Sequence, residues 1–349
     1  MNISIKIISI QISIFFILFL TVEAIWGHWF GNNNFGPLLR GKRLQKIIIN
    51  KNGEKINYYR DFYGFREGFE SIKKYDTSKI KVIFNGGSTS DEFLLNYKDT
   101  IVGQINSYLI DDGINLKIYN AANSGKSIKG LISEFYYWFG ELPNFKPEII
   151  IYYIGLNSRK TPPANNQWMY KDYKEMNLEF IETITWNISQ KSFFFEKLKI
   201  IKDRYFPKYG NYDEYVVNDK KLSFNEFISY NYAKKNYRNI NKAQINILEN
   251  FQIDLKILKK ELDLRNIKPI FITQVNHQIN GDEMLYFLNE ELKKFSKKNN
   301  YTVVKLDELI LSPLENSFID TIHTNENGSK KIAKILYPHL KKELLKQGF

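Results

Sequence analysis

The sequence predicts an α/β protein with three layers, in which a five-stranded parallel sheet lies between two layers of helices. Two observations support this prediction. Short runs rich in apolar and β-branched residues recur along the chain, as expected for buried strands, at 81–84, 115–120, 148–154, 269–275 and 301–306. Helical stretches separate several of these runs, near 100–109, 127–139 and 240–264. Strands that alternate with helices form a parallel sheet that is covered on both faces.

The most apolar stretch of the chain is residues 3–26. Residues 7–20 carry no charge, and the whole run is long enough to cross a bilayer, which takes about 20 residues. We predict an uncleaved transmembrane anchor at 1–28, with Trp26 and Trp29 near one membrane interface. A cleaved signal peptide is the alternative, but no Ala-x-Ala site follows the run.

Residues 29–77 are predicted to form a linker that leads into the main domain at 78–349. A hairpin is expected within 46–59, because Asn52-Gly53 lies between two apolar runs and favours a tight turn. The following Tyr63-Gly-Phe-Arg66 stretch is interpreted as a loop packed onto the domain.

The main domain contains a long segment, about 160–236, that is rich in aromatic residues and has no clear period. A structureless loop of this length is uncommon in a compact domain. We therefore predict a mostly helical insertion, which serves either as a lid or substrate platform near the active site or only as additional core.

Polar residues follow several of the predicted strands. They are Ser88 after the Gly86-Gly87 pair, Gly125, Asn157, and the pair Asp320 and His323 before the last helix. Because the carboxyl ends of parallel strands meet at one edge of a sheet, these residues are expected to converge there. Each has a plainer explanation when taken singly: Gly-Gly-Ser as an ordinary turn or phosphate-binding loop, Asn157 as a turn residue, and Asp320 as part of a helix start.

As a set, these residue types suit acyl transfer through a serine nucleophile. A neutral imidazole can take the serine proton while a carboxylate holds its other ring nitrogen. Hydrogen-bond donors near the acyl carbon can then stabilise the oxyanion.

The motifs Gly86-Gly-Ser88, Gly125, Gly155-Leu-Asn157 and Asp320-Thr-Ile-His323 resemble, in order and context, those of the SGNH hydrolases, also called the GDSL esterase and lipase superfamily. The resemblance covers about residues 78–345 and implies a flavodoxin-like sheet. It further implies roles for individual residues: Ser88 as nucleophile, His323 as base, Asp320 as its orienting acid, and an oxyanion hole from the backbone N–H groups of Ser88 and Gly125 and the side-chain amide of Asn157.

The chain departs from the family pattern at two positions. Gly87 and Ser158 stand where the family often has Asp. The proposed chemical groups are retained, but the substrate class stays open.

The residues and the resemblance together predict a serine-dependent ester hydrolase for O-acyl esters, with O-acetyl esters of an envelope carbohydrate as the expected substrate. The same acyl-enzyme would give an O-acyltransferase if a sugar hydroxyl replaced water. A third hypothesis is a non-catalytic envelope assembly or carbohydrate-binding protein that retains the fold.

Two observations make opposite predictions for the orientation of the anchor in the membrane. Arg40, Lys42, Arg43 and Lys46 follow the span and count against export of the domain under the positive-inside rule. Resemblance to membrane-anchored envelope proteins instead implies that the catalytic domain is extracytoplasmic.

Composition limits the chemistry. The chain has no Cys, which excludes disulfides, thiolate metal sites and a cysteine nucleophile. Its four histidines, which include His28, His277 and His339, form no HExxH motif, so we predict neither a metal nor a cofactor.

The net charge of +12 suits anionic lipid headgroups or an acidic polysaccharide. Basic residues are interleaved with acidic ones, so the predicted partners are the bilayer and an acylated carbohydrate or other ester, and not nucleic acid.

Overall fold

The computed structural model describes residues 3–27, 29–30, 43–51, 53–159, 184, 188, 191–206, 208–211, 229–275, 283–311, 314, 316–320 and 322–349. Most of the predicted insertion lies outside these residues, as do His28 and His277.

Within the described residues, nine strands form one sheet. They are β1 (Lys46–Lys51), β2 (Glu54–Arg60), β3 (Arg66–Glu67), β4 (Val82–Gly86), β5 (Ile118–Asn120), β6 (Ile149–Tyr153), β7 (Lys208–Asn211), β8 (Lys268–Ile272) and β9 (Thr302–Val304).

The helices of the described chain are α1 (Ile3–Trp26), α2 (Ser88–Asp91), α3 (Ile101–Asp111), α4 (Ile128–Tyr137), α5 (Phe193–Tyr205), α6 (Tyr230–Asn236), α7 (Lys242–Leu264), α8 (Glu283–Lys298), α9 (Leu306–Leu309) and α10 (Glu326–Lys346). Short 3₁₀ turns occur at Thr77–Lys79, Tyr97–Asp99, Phe139–Glu141 and Leu156–Arg159.

The centre of the sheet consists of five parallel strands in the order β5-β4-β6-β8-β9. This is the flavodoxin-like order, and it confirms the predicted five-stranded parallel sheet. The register pairs Phe84 with Asn120 and Gly86 with Tyr153, so the carboxyl ends of β4, β5 and β6 lie at one edge.

Side chains of the parallel strands are buried on both faces, which explains why their sequences are continuously apolar. Ile83 and Ile150 face a core completed by α4, α7 and α8. Val82 and Ile151 face a second core completed by α3 and α10. Each buried Ile or Val contributes about 1.5–3 kcal/mol through removal of apolar surface from water, so both helical layers stabilise the sheet.

The sheet is larger than the sequence predicts, because an antiparallel unit extends it beyond β5. The predicted hairpin is present as β1 and β2, with Lys51 paired to Glu54 across the turn. The short strand β3 pairs with β2 and, through Arg66 and Asn120, with β5. A two-residue strand has no detectable periodicity, so the sequence pattern gave no sign of this connection.

Part of the predicted insertion is described, as α5, β7 and α6. Strand β7 pairs in parallel with β1 at the outer edge of the antiparallel unit. Helix α5 packs beside α1, where the rings of Phe19 and Phe194 stack at 4.8 Å. The function of the insertion as a lid stays a prediction.

The N-terminal helix α1 contains a 22-residue stretch, Ile5–Trp26, whose most apolar 18-residue window has a mean hydropathy of 2.3. None of its most apolar window is buried against the rest of the protein. By length and composition, this helix is able to cross a membrane.

Candidate active site

Ser88 lies at the carboxyl end of β4, where it begins the short helix α2. The two preceding glycines are closely surrounded. A Cβ on Gly86 would lie 2.5 Å from the backbone carbonyl oxygen of Tyr153, so this position admits only glycine. A Cβ on Gly87 would lie 2.2 Å from Asn157 Nδ2 and would displace the amide. Ser88 follows this turn and is half-buried at the sheet edge.

Asn157 and Gly125 lie beside this turn. The Asn157 amide donates to the backbone carbonyl of Lys126, with an Nδ2 to O distance of 3.0 Å. Gly125 has a φ of +80°, a conformation that glycine adopts without strain. The Asn157 amide thus lies between the turn before Ser88 and the loop that contains Gly125, as the sequence predicts for strand ends of one sheet.

Asp320 and His323 contact each other directly. His323 Nδ1 lies 2.7 Å from Asp320 Oδ2, and both side chains are partly exposed. The other carboxylate oxygen, Oδ1, accepts hydrogen bonds from the backbone N–H groups of Ile322 at 2.8 Å and His323 at 2.7 Å.

Burial acts to raise the pKa of Asp320, but the hydrogen bond and charge of His323 and the two backbone N–H groups outweigh it, so the pKa is lowered. The carboxylate is therefore ionised at neutral pH. An ionised Asp320 favours the tautomer in which Nδ1 carries the proton and Nε2 is free to accept one.

Glu92 connects the loop of His323 to the Ser88 helix. It follows α2 directly, and its Oε1 accepts hydrogen bonds from Thr324 Oγ1 at 3.0 Å and from Ser329 Oγ. Its Oε2 accepts from the Ile101 N–H at 2.6 Å. Burial raises the pKa of Glu92 to about 7, against the lowering effect of these hydrogen bonds. One buried carboxyl group therefore holds three chain segments together beneath the site.

A narrow cavity joins the same segments. Its lining includes Thr89, Leu156, Ile322 and Thr324, which are immediate neighbours of the candidate residues in sequence. The structure therefore brings the segments of Ser88, Asn157 and His323 to one place. Within the described residues, no hydrogen bond joins Ser88 to His323 directly.

In the described part of the chain, no cluster of three or more His, Asp or Glu side chains has the geometry to hold a metal ion.

Comparison with known proteins gives matches of fold alone. Neither a family model nor a curated protein sequence matches this chain. Solved structures similar to it include a lipolytic protein of the G-D-S-L family from Desulfitobacterium hafniense, with a TM-score of 0.42, 12% identity, and coverage of 74% of this chain and 98% of that one.

A second G-D-S-L family member, from Veillonella parvula, has a TM-score of 0.41 and 14% identity, and the match covers 75% of this chain and 98% of that one. An acetyl xylan esterase has a TM-score of 0.42 and 13% identity, and the match covers 75% of this chain and 100% of that one. These structures include members of the family that the motif order of the sequence resembles.

A buried ion pair beneath the Gly125 loop was not predicted from the sequence. Lys126 Nζ contacts Glu134 Oε1 and donates to Asn85 Oδ1 and to the Ala121 carbonyl, both at 3.0 Å. Burial lowers the pKa of Lys126 and raises that of Glu134, whereas their mutual attraction opposes both shifts. Because its side chain is fixed in this way, Lys126 holds the carbonyl that receives the Asn157 amide.

Asp91 forms a second buried pair at the end of the Ser88 helix. It accepts from Arg60 Nη2 at 3.0 Å and from the Tyr58 hydroxyl at 2.9 Å. Its other oxygen accepts from Ser124 Oγ at 2.9 Å. This carboxylate ties the antiparallel unit to both the Ser88 helix and the Gly125 loop.

Gln274 is a further residue that the sequence analysis missed, although a signal was present. Gln274 follows β8 as Asn157 follows β6. The same pattern, a polar residue after an apolar strand, would therefore have identified it in the sequence. Its Nε2 donates to Thr89 Oγ1 at 2.9 Å, and its Oε1 accepts from the Leu156 N–H. Gln274 therefore links α2, which follows β4, to the segment after β6.

Proposed function

We propose that this protein is a serine-dependent ester hydrolase that acts on O-acyl esters. The observation that carries the proposal is the hydrogen-bonded pair of His323 and Asp320, at 2.7 Å, in a loop attached through Glu92 to the helix that begins with Ser88. A neutral imidazole held by an ionised carboxylate beside a serine is the arrangement that activates a hydroxyl nucleophile.

In the proposed reaction, His323 Nε2 takes the Ser88 hydroxyl proton while Oγ attacks the acyl carbon. Asp320 holds Nδ1 and stabilises the imidazolium that forms. The imidazolium then gives its proton to the leaving alcohol, and an acyl-enzyme remains. Water attacks this ester with His323 again as base, which releases the acid and restores the serine.

The oxyanion would be stabilised by Asn157 and by two backbone groups. An Asn amide has two N–H donors, and the bond to the Lys126 carbonyl uses one and orients the other. Within the described residues, the backbone N–H groups of Ser88 and Gly125 donate no hydrogen bond. These three donors are consistent with an oxyanion hole beside the nucleophile.

For the substrate, we favour a short acyl group, such as O-acetyl, on an envelope carbohydrate. The net charge of +12 favours an acidic polymer or one close to anionic lipids.

We further propose that α1 anchors the protein in the membrane and that the domain is extracytoplasmic. The apolar stretch Ile5–Trp26 supports the anchor. A carboxyl-terminal fusion to a reporter that is active only outside the cytoplasm should give signal. Activity of a reporter that works only in the cytoplasm would contradict this orientation.

The catalytic proposal is tested by labelling with a fluorophosphonate, which reacts with activated serines. The wild-type protein should be labelled, and Ser88→Ala and His323→Ala should not. Ser90→Ala is the matched control: its hydroxyl is buried two residues away, has no hydrogen-bond partner within the described residues, and should be dispensable.

Release of acetate from p-nitrophenyl acetate then measures turnover. We expect Ser88→Ala to lower kcat by about 10⁴-fold or more. Strong labelling with slow release of acetate would indicate that a sugar hydroxyl, and not water, is the natural acceptor. Folded wild-type protein that takes no label would contradict a catalytic function.

A further inference from the structure

Helix α5 carries an exposed apolar stripe that the proposed reaction does not use. Phe194, Leu198, Ile201 and Tyr205 follow one another at helical spacing and share one face. Leu198 is 63% exposed, Ile201 50% and Tyr205 69%. Their exposure to water within the described structure would cost free energy unless another apolar phase covers them.

The opposite side of α5 is packed against the domain. Glu196 forms a buried ion pair with Arg43 at 3.1 Å, and Ile200 packs against the core cluster that includes Leu44. The helix is therefore fixed to the domain, and its apolar stripe points away from it.

The stripe begins at the membrane anchor. Phe194, the first residue of the stripe, stacks on Phe19 of α1 with ring centroids 4.8 Å apart. The ring centroids of Phe193 and Trp26 lie 6.3 Å apart. The exposed face of α5 is thus continuous with the apolar surface of α1.

A carboxylate fixes this junction. Glu23, near the end of α1, accepts hydrogen bonds from Ser192 Oγ at 2.6 Å and from the backbone N–H groups of Phe193 at 3.0 Å and Phe194 at 3.1 Å. It therefore satisfies donors at the start of α5 that lack partners within the helix. This explains a buried charge at the end of an otherwise apolar span.

Cationic side chains border the stripe. By the 3.6-residue period, Lys197 and Lys202 fall on its two sides, and both are exposed. An apolar face flanked by lysines is the pattern of helices that lie in the membrane interface, where the lysines reach anionic headgroups.

We infer that α5 lies in the bilayer interface beside α1, with Leu198, Ile201 and Tyr205 inserted among lipid acyl chains. The inference rests on the proposed anchor and adds a second membrane contact to it. Two contacts, one spanning and one lying flat, fix the orientation of the domain relative to the membrane. The candidate active site would then lie at a fixed distance from the lipid surface, and substrates would bind at that distance.

The absence of cysteine from the chain permits a direct test. The full-length protein is prepared as single-cysteine variants, labelled with a fluorophore and placed in nanodiscs that contain anionic lipid, with and without nitroxide groups on the acyl chains. The variants are Ile201→Cys in α5, Phe15→Cys in α1, and Ile253→Cys in α7 as the matched control, because Ile253 is also mid-helix and is 52% exposed.

Nitroxide lipids should quench the probes at residues 15 and 201 at least about threefold more than the probe at residue 253. Quenching at residue 15 with none at residue 201 would overturn the inference and leave the anchor standing. Lack of quenching at residue 15 would overturn the anchor, and the inference with it.

Discussion

The strand ends near Ser88 and the surface around α1 and α5 distribute polar and apolar groups in opposite ways. Near Ser88, charged groups such as Lys126, Glu134 and Asp91 are buried and paired within the protein. Around α5, apolar side chains such as Leu198 and Ile201 are exposed.

The difference indicates which environment each region requires. The buried charges need each other, since an unpaired charge in the interior is costly. The exposed apolar side chains make few contacts within the protein. Their free energy would be lowered only if a second apolar phase removed them from water. Substitutions near Ser88 should therefore affect folding and catalysis, whereas substitutions on the exposed face of α5 should affect neither in detergent.

The largest effect is expected for Lys126→Met. This change leaves Glu134 buried without its cation and should lower the free energy of unfolding by about 3–5 kcal/mol. Denaturant titration of the full-length protein in detergent, followed by tryptophan fluorescence, measures it. The double variant with Glu134→Leu should recover much of the loss. Equal losses in the single and double variants would show that the pair itself is not what stabilises this region.

Asn157→Ala should act on catalysis more than on folding. Loss of one oxyanion donor lowers kcat by about 10²–10³-fold, or about 3–4 kcal/mol of transition-state stabilisation. Esterase assays with p-nitrophenyl acetate measure kcat and KM separately. A decrease in stability as large as the decrease in rate would instead indicate that Asn157 only holds the Gly125 loop in place.

Glu92→Gln should change how stability depends on pH. The folded state raises the pKa of Glu92 to about 7 from 4.5, so it binds a proton that the unfolded state has lost. Its contribution is fully present below about pH 4.5 and is lost as pH rises through 7, and it amounts to about 3 kcal/mol. The buried Asp61, whose pKa is also raised to about 7, contributes in the same direction.

Unfolding free energies measured between pH 5 and pH 8 test this. The decrease with rising pH should be smaller in Glu92→Gln than in the wild-type protein. Identical pH profiles would contradict a titrating carboxyl group at this position.

The smallest effect on folding is expected at the α5 stripe. Ile201→Ser should change the free energy of unfolding in detergent by no more than about 0.5 kcal/mol, because the side chain is exposed. Leu255→Ala, at a buried position in α7, should cost about 2–5 kcal/mol under the same conditions. Similar losses in both variants would show that α5 is packed inside the protein.

The parallel part of the sheet was largely predictable from the sequence, because each of its strands is recognised from a short stretch of neighbouring residues. Each buried strand is a continuous apolar run, and a polar residue such as Asn157 follows it at the edge that parallel strands share. His323 and Asp320 are near neighbours in sequence, so their contact required no knowledge of distant packing.

The remaining features depend on residues far apart in the chain. Arg60 pairs with Asp91 across 31 positions, and Glu23 reaches Ser192 across 169. No period of two or 3.6 residues encodes such contacts. The sequence interleaves basic with acidic residues and does not single out Lys126 or Arg60, and only the folded chain shows that these two side chains are buried.

The pairing of β7 with β1 has a consequence for how the protein is made. The outer edge of the hairpin is covered by Lys208–Asn211, which follows it roughly 160 residues later, or about 10–30 s at usual synthesis rates. During that interval β1 presents an unpaired edge, which is a template for pairing with another chain. The nascent chain is therefore most open to pairing with other chains at β1, until Lys208–Asn211 has been made and closes the edge.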